Sequence, residues 1–167
     1  MSNTQKKIIV DNIRAIRWDE DSLIILDQRG LPGKEEYLKL TSVEDVAEAI
    51  RNMVVRGAPA IGITAAFGYV IALTQVLKDH PGNWQRQLKE KILILKNSRP
   101  TAVNLCWAID RMQSRLETLT EPDVTVMLDE AHAIHKEDIS ANILMGELGS
   151  KYLQDSKGVL THCNTGS

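Results

Sequence analysis

At 167 residues the chain can hold one domain with a sizeable core, or one domain and the opening of a second. Twenty Lys and Arg stand against 22 Asp and Glu, a net charge of -2, so no basic surface advertises nucleic acid and no acidic excess marks a disordered tail. Two cysteines, Cys106 and Cys163, make no disulfide framework, and Met1 to Lys7 is polar with no apolar signal core behind it, so a cytoplasmic location is expected.

The β-prone runs Ile13 to Trp18 and Ser22 to Leu26, separated by Asp19-Glu20-Asp21, predict a hairpin. A third strand is expected around Glu36 to Leu40, after the turn Gly30-Leu31-Pro32-Gly33. Three strands with so little apolar surface form a cover that must lean on helices. Thr41-Ser42-Val43-Glu44 has the spacing of a capping box, and Val43, Val46, Ile50 and Met53 recur at helical spacing, which predicts an amphipathic helix ending near Arg56-Gly57.

No charge occurs between Pro59 and Leu77. This run is long enough to span a membrane, but Thr64, Thr74 and Gln75 dilute it and no second span follows, so a buried central helix is expected. Arg56 stands at its mouth. Gly57 can take backbone angles closed to other residues, Pro59 suits a first helical turn, and the free N–H groups there would face an anion, phosphate first among the candidates. A Gly-Ala-Pro turn before a buried helix is also ordinary packing, with Arg56 capping a neighbour.

Beyond His80-Pro81-Gly82, Asn83 is a candidate cap for a helix with Trp84, Leu88, Ile92 and Leu95 on one side. It stops at Ser98-Arg99-Pro100. Pro100 or Thr101 is expected to begin the next helix, with Cys106, Ile109, Met112, Leu116 and Leu119 along its stripe, so Cys106 belongs to the core. Arg99 would then precede a Pro-started helix as Arg56 does, and two such junctions clamp a phosphate if they meet in space. If they do not, the two arginines make surface pairs.

After Glu121-Pro122-Asp123 a long helix runs towards Leu153. His132 and His135 on it lie three apart beside Asp129, Glu130, Glu137 and Asp138; zinc motifs place two histidines four apart, and a charged face on a long helix points at water, so no metal is expected. Val159 to Cys163 reads as a strand, and Asn164-Thr165-Gly166 as the loop at its carboxyl end, where ligands of α/β sheets gather.

These motifs are specific in combination: Arg56-Gly57-Ala58-Pro59-Ala60-Ile61-Gly62, Ser98-Arg99-Pro100-Thr101 with Asn104-Leu105, the Glu137-Asp138 pair, and Thr161 to Gly166. Through them the chain resembles the N-terminal part of the methylthioribose-1-phosphate isomerases, relatives of the regulatory subunits of initiation factor 2B. The resemblance implies an α+β, mainly α, fold. Residues 1–157 would form a small N-terminal antiparallel β element and a five-helix bundle, and residues 158–167 the first strand and loop of a truncated Rossmann-like α/β domain. It further implies conversion of 5-methylthioribose 1-phosphate to 5-methylthioribulose 1-phosphate in methionine salvage, with no cofactor and no metal, in a cytoplasmic homodimer.

Carried over by motif, Arg56, Gly57 and Ala58 would bind this sugar phosphate, Arg99 would hold its phosphate, and Cys163 would be the catalytic cysteine. A cysteine at a strand end beside a glycine loop suits a proton carrier; whether hydrogen moves as proton or hydride is left open. In the family a C-terminal aspartate works opposite the cysteine, and it is absent from these 167 residues, so negligible turnover is expected from this chain alone. A non-catalytic phosphate-binding or assembly module, and a ribose 1,5-bisphosphate isomerase, are the alternatives.

Overall fold

The structure, a computed structural model, describes residues 13–160. Three strands and five helices follow one another in the order β1 (Ile16–Asp19), β2 (Ser22–Leu26), β3 (Tyr37–Leu40), α1 (Val43–Arg51), α2 (Ala58–Asp79), a 3-10 turn (Pro81–Asn83), α3 (Trp84–Ser98), α4 (Val103–Glu117) and α5 (Val124–Ser150). The expected β element and five helices are all present. The sheet is antiparallel in the order β1-β2-β3, with Trp18 opposite Leu23 and Leu23 opposite Leu40.

Every residue of β2 is buried, which a sheet this small cannot achieve alone. It leans on α2: the Trp18 ring stacks on Phe67, centroids 5.5 Å apart and planes inclined by 19°. Phe67 also meets the His132 ring edge-on at 5.2 Å and the His135 ring at 6.3 Å. These histidines therefore do not lie on a face turned wholly to water, contrary to the sequence-based expectation. His135 is half-buried, because α5 packs along α2 through the same stripe that carries Met127, Ala131 and Ile134.

α2 is the hub of the bundle. It is long and apolar enough to cross a membrane, but 78% of its most apolar window is buried inside the protein, on α1, α3, α4 and α5. Two glycines set how close its neighbours come. A Cβ on Gly62 would stand 2.9 Å from the Asn104 carbonyl oxygen on α4, and one on Gly68 would stand 2.8 Å from Val46 Cγ1 on α1. Further along, Tyr69 Oη donates to Gln113 Oε1 at 2.7 Å, so α2 and α4 run in the same direction. Cys106, half-buried against the core, fits its expected place.

Helix boundaries differ from expectation in four places. The capping box of α1 is Ser42 with Asp45, one residue later than Thr41 with Glu44: Asp45 N–H donates to Ser42 Oγ (3.1 Å) and Ser42 N–H to Asp45 Oδ2 (3.2 Å). α1 then ends at Arg51 rather than near Gly57. Met53 takes a left-handed φ of 58°, and paired bonds from Met53 N–H to the Ile50 carbonyl and from Val54 N–H to the Ala49 carbonyl close the helix. Pro100 and Thr101 sit inside a turn closed by Ala102 N–H on the Arg99 carbonyl (2.9 Å), so α4 starts at Val103 with no side-chain cap. At the far end α5 stops at Ser150, short of Leu153. Residues 158–160 carry no strand, and the rest of the expected strand, with Cys163, lies outside the described residues.

Two predictions follow from this packing. Because a backbone oxygen blocks the new methyl group, Gly62→Ala destabilises by ~1–3 kcal/mol in urea unfolding; an unchanged midpoint would show that the helices can part at no cost. Burial first, and His132 second, hold His135 below its ordinary value against an opposing pull from Asp138. Between that lowered value and the usual ~6.5, the unfolded chain binds a proton that the folded one resists. Stability therefore falls as pH drops through this window. His135→Gln flattens the pH dependence of the urea midpoint; an unaltered slope would contradict it.

Candidate functional site

Since α2 and α4 run in parallel and touch at Gly62, one turn into α2, and at Asn104, in the first turn of α4, their N-termini lie at the same end of the bundle. Each carries unpaired N–H groups there. α1 and α5 are capped by the side chains of Ser42 and Asp123, whereas α2 opens at Gly57, φ 90°, and α4 at Ala102, neither with a side-chain cap. A residue with a Cβ is strained at that φ, which is why glycine precedes Ala58-Pro59. The Gly57 carbonyl accepts from Ile61 N–H at 3.0 Å and closes the first turn.

Arg56 is exposed just ahead of α2. Its backbone is tied to the loop after β2: Arg56 N–H donates to Gln28 Oε1 (3.2 Å), and Gln28 N–H to the Val54 carbonyl (2.9 Å). In the same loop Arg29 grips Asp27 with two bonds of 2.8 and 2.6 Å and holds its carboxyl below the ordinary range, with a smaller contribution from Arg56. Arg99 ends α3 half-buried, and its guanidinium makes no hydrogen bond or ion pair among the described residues. The structure thus brings the two arginine-bearing junctions to one end of the bundle. The difference from expectation lies at Arg99, which stands a full turn of chain ahead of α4.

The third element here is α5, antiparallel to α2: Phe67 meets His132 and His135, while Pro59 and Ile63 share a pocket with Ile134, Glu137 and Asp138. This pocket, about 240 Å³, also takes Asn104, Trp107 and Ala141 as its walls. Residues from three separate sequence motifs, at Pro59, Asn104 and Glu137-Asp138, therefore line one cavity. Arg111 ties its rim together, donating to Glu130 (2.6 Å) and to both oxygens of Glu137 (2.5 and 2.8 Å). The arrangement holds Glu137 below the ordinary carboxyl range.

Sequence reasoning passed over Trp107 and Arg111. The signal was available: Trp107 falls off the buried stripe of its helix, and Arg111 follows it by four, one turn on, where its guanidinium lies 5.7 Å from the indole centroid. Among the described residues no group of three His, Cys, Asp or Glu could hold a metal ion.

Comparison with known proteins narrows the setting. The chain is 46% identical to the methylthioribose-1-phosphate isomerase of Methylococcus capsulatus over 158 residues, and 48% identical to that of Nitrosococcus oceani over 160. These matches cover 95% and 94% of this chain but 45% and 46% of the relatives, so the chain spans about half their length. Among solved structures, the 5-methylthioribose 1-phosphate isomerase of Pyrococcus horikoshii superimposes with a TM-score of 0.76 at 37% identity, covering 83% of this chain and 40% of that one. The delta subunit of translation initiation factor eIF-2B from A. fulgidus does so with a TM-score of 0.76 at 34% identity, covering 86% and 43%. The sequence pattern of the Initiation factor 2 subunit family matches residues 54–167, well over half of the chain and including every motif that meets at this site, and the chain belongs to that family.

Proposed function

We propose that this chain supplies the substrate-binding half of an aldose–ketose isomerase that turns 5-methylthioribose 1-phosphate into 5-methylthioribulose 1-phosphate, a step of methionine salvage. The observation that carries the reading is identity of 44–48% to isomerases of that name along some 95% of the chain. Geometry adds a reason. A phosphate dianion suits donors that converge, and two helix starts without side-chain caps, each preceded by an arginine, lie at one end of the bundle.

In this reading Arg56, Gly57 and Ala58 bind the substrate and Arg99 holds its phosphate. The sugar ring opens at the bond between C1 and the ring oxygen with the phosphate still attached; the hydrogen on C2 passes to C1, the C2 hydroxyl loses its proton as the carbonyl forms, and the ring oxygen takes one up, so no atom is gained or lost. Cys163 acts as the proton carrier. Residues 158–167 open a Rossmann-like α/β domain that contributes the opposing acid.

The far half of α5 supports this division. Ile143, Leu144, Met145 and Leu148 are each more than half exposed, and an exposed apolar stretch of this kind marks a contact surface. The working form is a cytoplasmic homodimer.

A second reading, a non-catalytic assembly module, draws on the equal TM-score to the initiation-factor subunit. One assay separates them. This chain is mixed with the C-terminal half of the Methylococcus capsulatus relative and supplied with 5-methylthioribose 1-phosphate. The isomerase reading expects turnover in the mixture and negligible turnover by the chain alone, with Arg99→Ala raising KM and Cys163→Ser lowering kcat by ~10²–10⁴-fold. No turnover with both pieces folded puts the module reading ahead.

A further inference from the structure

The pocket between the starts of α2 and α4 and the middle of α5 has a composition the phosphate reading does not account for. At about 240 Å³ it is smaller than the ~300–1,000 Å³ typical of pockets that enclose a whole ligand, so it fits one part of a ligand. Its walls divide by chemistry. Pro59, Ile63, Trp107 and Ile134 are apolar, and Asn104 and Asp138 are polar.

Charge around the pocket is also divided. Both oxygens of Glu137 are taken by Arg111, which leaves little negative charge on that side to repel a nearby phosphate. Asp138 accepts from Asn142 Nδ2 at 3.3 Å and has no cation within ion-pair distance among the described residues. Such a carboxylate is an acceptor for a hydroxyl donor. Trp107 is 49% exposed, although Ala108 and Ile109 next to it are buried. The Arg111 guanidinium, itself held by Glu130 and Glu137, lies 5.7 Å from the indole centroid, so the ring has a charged neighbour on one side and an open wall on the other.

We propose, on the reading that a sugar phosphate binds at the helix starts, that this pocket is the subsite for the apolar 5-substituent, with Trp107 as the residue that selects it. Pro59 lies in the first turn of α2 and Asn104 in that of α4, so the pocket begins within one helical turn, about 5.4 Å, of the proposed phosphate position. A thioether sulfur and its methyl group pack favourably on an aromatic ring. A 5-hydroxyl in the same place would lose hydration against Ile63, Ile134 and Trp107 and gain no partner from them. Asp138 accepts from a ring hydroxyl on the polar side. The pocket therefore discriminates by what the sugar carries at C5, while the helix starts bind any sugar phosphate.

The test uses the chain as it is, labelled with ¹⁵N, with amide and indole N–H signals followed during titration with 5-methylthioribose 1-phosphate, ribose 1-phosphate and inorganic phosphate. Three tryptophans give three indole signals, and Trp107→Phe assigns the one concerned. The Gly57 amide is expected to move with all three ligands and the Trp107 indole with the methylthio sugar alone. Trp107→Ala then weakens binding of the methylthio sugar by ~10-fold or more and leaves ribose 1-phosphate unchanged, and Trp107→Phe restores most of the loss. A Gly57 amide that moves while the Trp107 indole stays still, or moves equally for both sugars, overturns the subsite and leaves the phosphate reading in place. Silence at both positions overturns the two together.

Discussion

The close approach of α2 and α4 at Gly62 is the contact on which the rest of the molecule depends. With no side chain at that position, the helix backbone reaches the Asn104 carbonyl, and the Tyr69–Gln113 hydrogen bond fixes the same pair further along. Two helices so joined share one direction and one end. Every other element is arranged around α2: the sheet through Trp18 on Phe67, α1 and α3 at Gly68, and α5 on the remaining side.

Parallel packing has an electrostatic consequence. Each helix start carries roughly half a positive charge, and placing two side by side at one end is unfavourable unless something negative lies near. A side-chain carboxylate or hydroxyl cap would supply part of it, as Asp123 and Ser42 do for α5 and α1. At α2 and α4 no such cap is present, and Asp138 and Glu137 approach from α5 instead. Glu137 is paired with Arg111, whereas Asp138 has no cation within ion-pair distance among the described residues, so the partial positive charge of the helix starts is met by one carboxylate from α5. The same feature that weakens the bundle locally is the one that would bind phosphate.

Much of this was legible in the sequence. The hairpin at Asp19 to Ser22, the buried helix within Pro59 to Leu77 and the start of a long helix after Asp123 follow from local chemistry that tertiary contacts do not override. The misplaced boundaries have a common cause: two local solutions of nearly equal quality. Thr41 with Glu44 and Ser42 with Asp45 both satisfy a capping box, and the choice falls to where β3 releases the chain after Leu40, paired with Leu23. Proline suits the first turn of a helix and the second position of a turn equally, and Pro100 takes the second role. Met53 closes α1 in a conformation usually left to glycine, which no sequence pattern announces. The pocket was harder still, since Pro59, Asn104 and Asp138 are brought together only by the direction in which α4 and α5 pack.

Equal superposition on an isomerase and on an initiation-factor subunit means that the backbone does not decide between catalysis and assembly. The deciding features are side chains that the fold tolerates but does not require. Arg99 is one: its guanidinium makes no hydrogen bond or ion pair among the described residues. Trp107 is another, since half its surface is exposed and its ring faces the Arg111 guanidinium. Packing explains Gly62, Gly68 and Phe67 without reference to any ligand. It does not explain an unpaired arginine and an open indole at the same end of the bundle, and chemistry at that end is the simplest account of why they are there.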